Sequence, residues 1–140
     1  MSRSGYDDYC DDQWALIRWR GAVRSAIRGK RGQAFLRELA DALDALPEKR
    51  LIADDLIQEG GVCAIGAVGK ARGVDMTNLD PENLEAVAGK FGIADALARE
   101  IVWENDEVSW RETPEQRFIR MRRWVDRNLL AARQPNEAAS

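Results

Sequence analysis

The chain has 140 residues, 45% of them apolar and 32% charged, with a formal net charge of −3. That is enough sequence for one hydrophobic core without metal or disulfide staples, and too apolar for intrinsic disorder. It contains no histidine, which excludes imidazole acid–base chemistry, Ser–His and Cys–His nucleophiles, and imidazole metal ligation.

No apolar run approaches the roughly 18 residues that span a bilayer, and the start, Met1 to Asp8, has no apolar signal stretch. The expectation is a cytoplasmic protein with no membrane partner. Cys10 and Cys63 are far apart and match no metal-ligand spacing, so two reduced thiols and no metal site are expected.

Residues 1–10 are polar and read as a loose lead-in to a single helical domain over 11–133, with a polar tail at 134–140. Asp11 or Asp12 caps a first helix that runs to about Ile27, with Gly29 as its stop. Leu16, Trp19, Val23 and Ile27 share one narrow stripe, its expected buried side, and Trp14 points nearly opposite. From Arg31 to Leu46, Leu36, Leu39, Leu43 and Leu46 repeat the pattern until Pro47 ends it. The short Gly29-Lys30-Arg31-Gly32 connection suits an antiparallel pair.

Between Arg50 and Val62 the period changes and Gly60-Gly61 signals a turn, compatible with a small β-hairpin. Val62 to Arg72 reads as a short helix closed by Gly73. Its interior glycines each cost about 1 kcal/mol relative to Ala, and close backbone approach by a neighbour would offset that. Asp80-Pro81-Glu82 signals the start of a fourth helix carrying Leu84, Val87, Ala88 and Phe91 on one face, with Gly92 as its stop. A fifth runs from Ala94 to about Asn105 on Leu97, Ala98 and Ile101, and Glu104 to Glu107 lead into a charged loop with Trp110. Thr113-Pro114-Glu115-Gln116 is a capping box with a first-turn proline, opening a last helix on Phe118, Met121, Val125 and Leu129. The fold expected is mainly α, a compact bundle of about six helices with a small β-hairpin near 51–62.

Gly66-Ala67-Val68-Gly69-Lys70 resembles a phosphate loop only superficially. Ala64 stands where the first glycine belongs and Ala71 where Ser or Thr would hold Mg²⁺. No cofactor is expected. The acidic sets Asp7-Asp8-Asp11-Asp12, Asp54-Asp55 and Glu104-Asp106-Glu107 follow no calcium-loop spacing and read as solvated surface. A histidine-free enzyme would have to use Asp54, Asp55, Glu104 or Asp106, and no catalytic constellation stands out.

The basic stretch carries more information. Arg20, Arg24 and Arg28 recur every four residues on one flank of the first helix, followed by Arg31, with no acid until Glu38. On the last helix Arg120, Arg123 and Arg127 lie opposite the core stripe, with Trp124 at its border. Such faces can follow a phosphate backbone while an indole stacks on a base. Alternatively, Trp and Arg, here with Trp14, are the side chains most enriched at protein–protein hot spots. The third reading is a solvated face of good helix formers.

Three segments, Leu46 to Asp54, Cys63-Ala64-Ile65-Gly66-Ala67-Val68-Gly69-Lys70-Ala71-Arg72-Gly73 and Val102-Trp103-Glu104-Asn105-Asp106-Glu107, together resemble a family of small uncharacterised phage and prophage proteins. The resemblance covers about Arg31 to Trp124. It implies a phage or mobile-element context and carries no activity, ligand or site residue. By analogy with small phage accessory proteins, it points to binding of host machinery, defence components included. The leading expectation is a non-enzymatic interaction protein whose partner is a host or phage protein; the alternative is a nucleic-acid binder using the basic face of helix one.

Overall fold

The computed structural model describes residues 3–4, 13–108 and 111–130, with Gln13 described through its backbone only. Within them the chain forms six helices and one small hairpin: α1 (Gln13–Arg28), α2 (Lys30–Ala45), β1 (Ile57–Gln58), β2 (Gly61–Val62), α3 (Ala64–Arg72), α4 (Leu84–Phe91), α5 (Asp95–Asp106) and α6 (Pro114–Asn128). The strands pair antiparallel, Ile57 with Val62 and Gln58 with Gly61. The mainly helical bundle with a hairpin is what the periodicities predict. No helix among the described residues is long and apolar enough to cross a membrane.

α2 and α3 form the centre. Leu36, Leu39 and Leu43 of α2 and Ile65 and Val68 of α3 are fully buried, and α3 also packs on α5. The glycines of α3 are explained by close approach: a Cβ on Gly66 would enter the Leu56 carbonyl, and one on Gly69 would enter the Met76 sulfur and the Phe91 ring. The helix starts on Cys63, whose sulfur accepts from the Gly66 amide at 3.3 Å, and closes on Gly73 in the left-handed region at φ 72.

Three features differ from the sequence reading. α4 begins at Leu84, not at Pro81, because Asn83 accepts from the Ala86 amide and takes the cap, while Asp80 is spent on an Asx turn to the Glu82 amide. α5 continues through Asp106, so the expected charged loop is instead a buried last turn: Glu104, Asn105 and Asp106 are all buried. Its acids are covered by guanidinium groups, which is how a carboxylate enters an interior. Arg3 grips Asp106 with two 2.7 Å bonds, and Asn105 accepts from the Ala64 amide at 3.1 Å and donates to the Ile52 carbonyl at 2.9 Å. Within the polar lead-in, Arg3 and Ser4 are therefore anchored and buried; the rest of it, Asp7, Asp8 and Cys10 included, lies outside the described residues, as do the expected caps Asp11 and Asp12, the 134–140 tail and Trp110.

The third difference concerns α1. Leu16, Trp19, Val23 and Ile27 are only half-buried, although the matching stripe of α2 is sealed. α1 rests on α2 and α5, and of its apolar side chains Ala26 and Ile27 pack against the main core. Leu16, Trp19 and Val23 are not among the partly buried side chains packed on that core.

Candidate functional site

The uncovered side of α1 is one wall of a groove of about 770 Å³. Leu16, Val23 and Ile27 of α1 and Leu130 beyond α6 supply aliphatic lining; Trp19, Trp103 and Trp124 supply aromatic lining from α1, α5 and α6. Arg20, Arg24 and Arg28 stand along the α1 side and Arg127 along the α6 side. Glu100 is the one carboxylate among the described lining residues. The volume and the mix of an apolar floor with a few charged groups are those of a binding cleft.

The four-residue spacing puts Arg20, Arg24 and Arg28 about 6 Å apart along the helix axis, as a ridge between the groove and open solvent. All three, and Arg127, are exposed. None makes an ion pair with a described residue, in contrast to Arg3, Arg50, Arg72, Arg117, Arg120 and Arg122. The groove thus carries concentrated positive charge over an apolar floor in a chain whose net charge is −3.

Its far end is fixed by Gln33, a buried residue of α2. The Gln33 amide nitrogen donates to the Ile27 carbonyl at 2.8 Å and to the Asn128 carbonyl at 3.0 Å, and its oxygen accepts from the Leu130 amide at 2.8 Å. One side chain therefore ties the ends of α1 and α6 together. Gly32 lets it in: a Cβ there would collide with the Ala26 carbonyl. At the other end Arg99 lies 5.3 Å from the Trp19 ring centroid and donates to the Ser4 carbonyl at 3.2 Å.

The structure brings together five of the nine residues singled out from sequence: Arg20, Arg24, Arg28, Trp124 and Arg127. Two corrections apply. Trp124 is 6% exposed and belongs to the core cluster; it forms floor, not a free stacking face. Arg120 is not on an open face: it holds Glu112 through bonds of 2.9 and 2.6 Å and donates to the Glu104 carbonyl at 2.6 Å, satisfying the end of α5, where unpaired carbonyls attract cations. Arg31 and Arg123 are exposed but stand outside the groove. Trp14, 71% exposed, and Ile17, 56% exposed, lie on the solvent side of the arginine ridge.

Sequence reasoning missed Glu100, Trp103, Asn128 and Leu130 as lining residues and Gln33 as the clamp. Each looks like ordinary helix surface until α5 and α6 are set beside α1. Burial raises the Glu104 carboxyl above its usual range, opposed by the Arg120 and Arg127 guanidinium groups. Among the described residues no group of three or more Cys, Asp or Glu side chains could hold a metal ion.

No family model, no curated protein and no solved structure matches the chain.

Proposed function

We propose that this protein is a non-enzymatic interaction protein and that the α1–α5–α6 groove is where it takes a segment of another protein. The observation that carries the reading is the half-buried stripe Leu16, Trp19, Val23 and Ile27, left open beneath four arginines that lack described ion-pair partners. Half-covered apolar surface rimmed by charge is what a partner buries. The phage context implied by the sequence resemblance makes a host or phage protein the kind of partner proposed.

A protein fits this groove better than a nucleic acid. Bases need open π-faces, but Trp124 is buried and Arg99 already lies over the Trp19 ring. The aliphatic floor of Leu16, Val23, Ile27 and Leu130 suits side chains. The test is fluorescence anisotropy with labelled single- and double-stranded DNA and RNA, at low and at physiological salt. The expected result is weak binding that disappears at physiological salt. Tight, salt-steep binding lost on Arg20→Glu/Arg24→Glu/Arg28→Glu would overturn the protein reading in favour of nucleic acid.

A further inference from the structure

We infer that the segment bound by this groove is an amphipathic α-helix of about three turns with acidic flanks. The inference rests on the groove being the contact surface and goes beyond it by specifying the partner's conformation and charge.

The conformation follows from backbone hydrogen bonding. An extended segment laid on an apolar floor must place its own N–H and C=O groups on partners, as happens at a free sheet edge. This groove has none to offer. Its walls are α1, α5 and α6, whose interior amides and carbonyls are paired within each helix, and the two-residue strands of the hairpin are not among its lining residues. Only a segment that satisfies its backbone internally can enter without leaving polar groups desolvated, and that is a helix.

Length and charge follow from the lining. Leu16 to Ile27 covers about 16 Å of helix axis, or three turns. A partner helix lying along α1 would meet the floor with apolar residues at i, i+3 or i+4, and i+7. Its flank toward α1 faces Arg20, Arg24 and Arg28 at a four-residue repeat, and its other flank faces Arg127 near Glu100. Glu or Asp at i, i+4 and i+8 on the α1 side matches that ridge, and a like-charged helix is repelled by it.

The test is selection of a displayed library of random 16-residue peptides on the full chain, followed by affinities of synthetic copies for the wild type and for Arg20→Glu/Arg24→Glu/Arg28→Glu. All three sites are exposed, so the variant is expected to keep its fold, checked by circular dichroism. Enriched peptides are expected to show the helical apolar period with acidic flanks, to lose at least about tenfold in affinity on the variant, and to regain it when their acids are changed to lysine. Enriched peptides that lack the period or the acids, yet lose binding on the variant, would overturn the acidic-helix inference and leave the groove as the contact surface. Enriched peptides whose affinity the variant does not change, or no enrichment above background, would overturn both.

Discussion

α1 and α2 carry the same kind of signal, an apolar stripe repeating every three or four residues, and meet different fates. In α2 the stripe is sealed: Leu36, Leu39 and Leu43 have no exposed surface. In α1 the stripe of Leu16, Trp19, Val23 and Ile27 stays half-covered, bordered by arginines. α2 is enclosed by α1, α3 and α6, whereas α1 is supported by α2 and α5 and open on its remaining side. Periodicity states that a face wants covering; only the packing shows whether this chain covers it.

The contrast can be broken most sharply at its two extremes. Leu39→Ala should cost about 2–5 kcal/mol in denaturant melts, the range for deleting a fully buried leucine side chain. Val23→Ala should cost about 1 kcal/mol or less, because the methyl groups removed are already partly wet, while weakening peptide capture several-fold. Equal losses of stability would mean that α1 is as closed as α2.

Gln33→Ala should cost about 1–3 kcal/mol, since it leaves the Leu130 amide and the Ile27 and Asn128 carbonyls to find other partners. Its effect should also reach the groove. Binding lost through Gln33→Ala with α1 and α6 still folded by circular dichroism would show the clamp positioning both walls.

A smaller effect is expected at Glu104. Its folded-state pKa is raised by burial, so folding disfavours its charged form, and the penalty is present at neutral pH and relieved as pH falls through the folded-state value. Glu104→Gln should therefore be neutral to stabilising at pH 7, by about 1 kcal/mol at most after discounting the Arg120 contact. The difference from wild type should shrink as the pH of the melt is lowered through the carboxylate range. A large loss at pH 7 would mean that the ion pair with Arg120, at 3.5 Å, outweighs desolvation. Trp14→Ala, at a residue 71% exposed, should change stability by no more than about 0.5 kcal/mol.

Much of the fold was legible in the sequence because its signals are local. The capping box at Thr113 and Gln116 is present with both bonds, Gly73 and Gly92 close their helices in the left-handed region, and the small residues of α3 receive the Leu56 carbonyl and Met76. Less of the site was legible. The arginine ridge follows from four-residue spacing on one helix, but Trp103 and Glu100 reach the groove only because α5 lies beside α1. Arg120 and Arg127 are indistinguishable by pattern, one spent on Glu112 and the other exposed at the groove, since what separates them is where Glu112 and the end of α5 fall in space.

The most direct measurement is native-state amide hydrogen exchange, comparing α1 with α2 in the protein alone and with a saturating selected peptide. An unfinished α1 predicts exchange through local opening, at least about tenfold faster than in α2, whose central amides should exchange only on global unfolding, with α1 slowing markedly when the peptide binds. Protection in α1 equal to that in α2 in the free protein, unchanged by the peptide, would contradict the account.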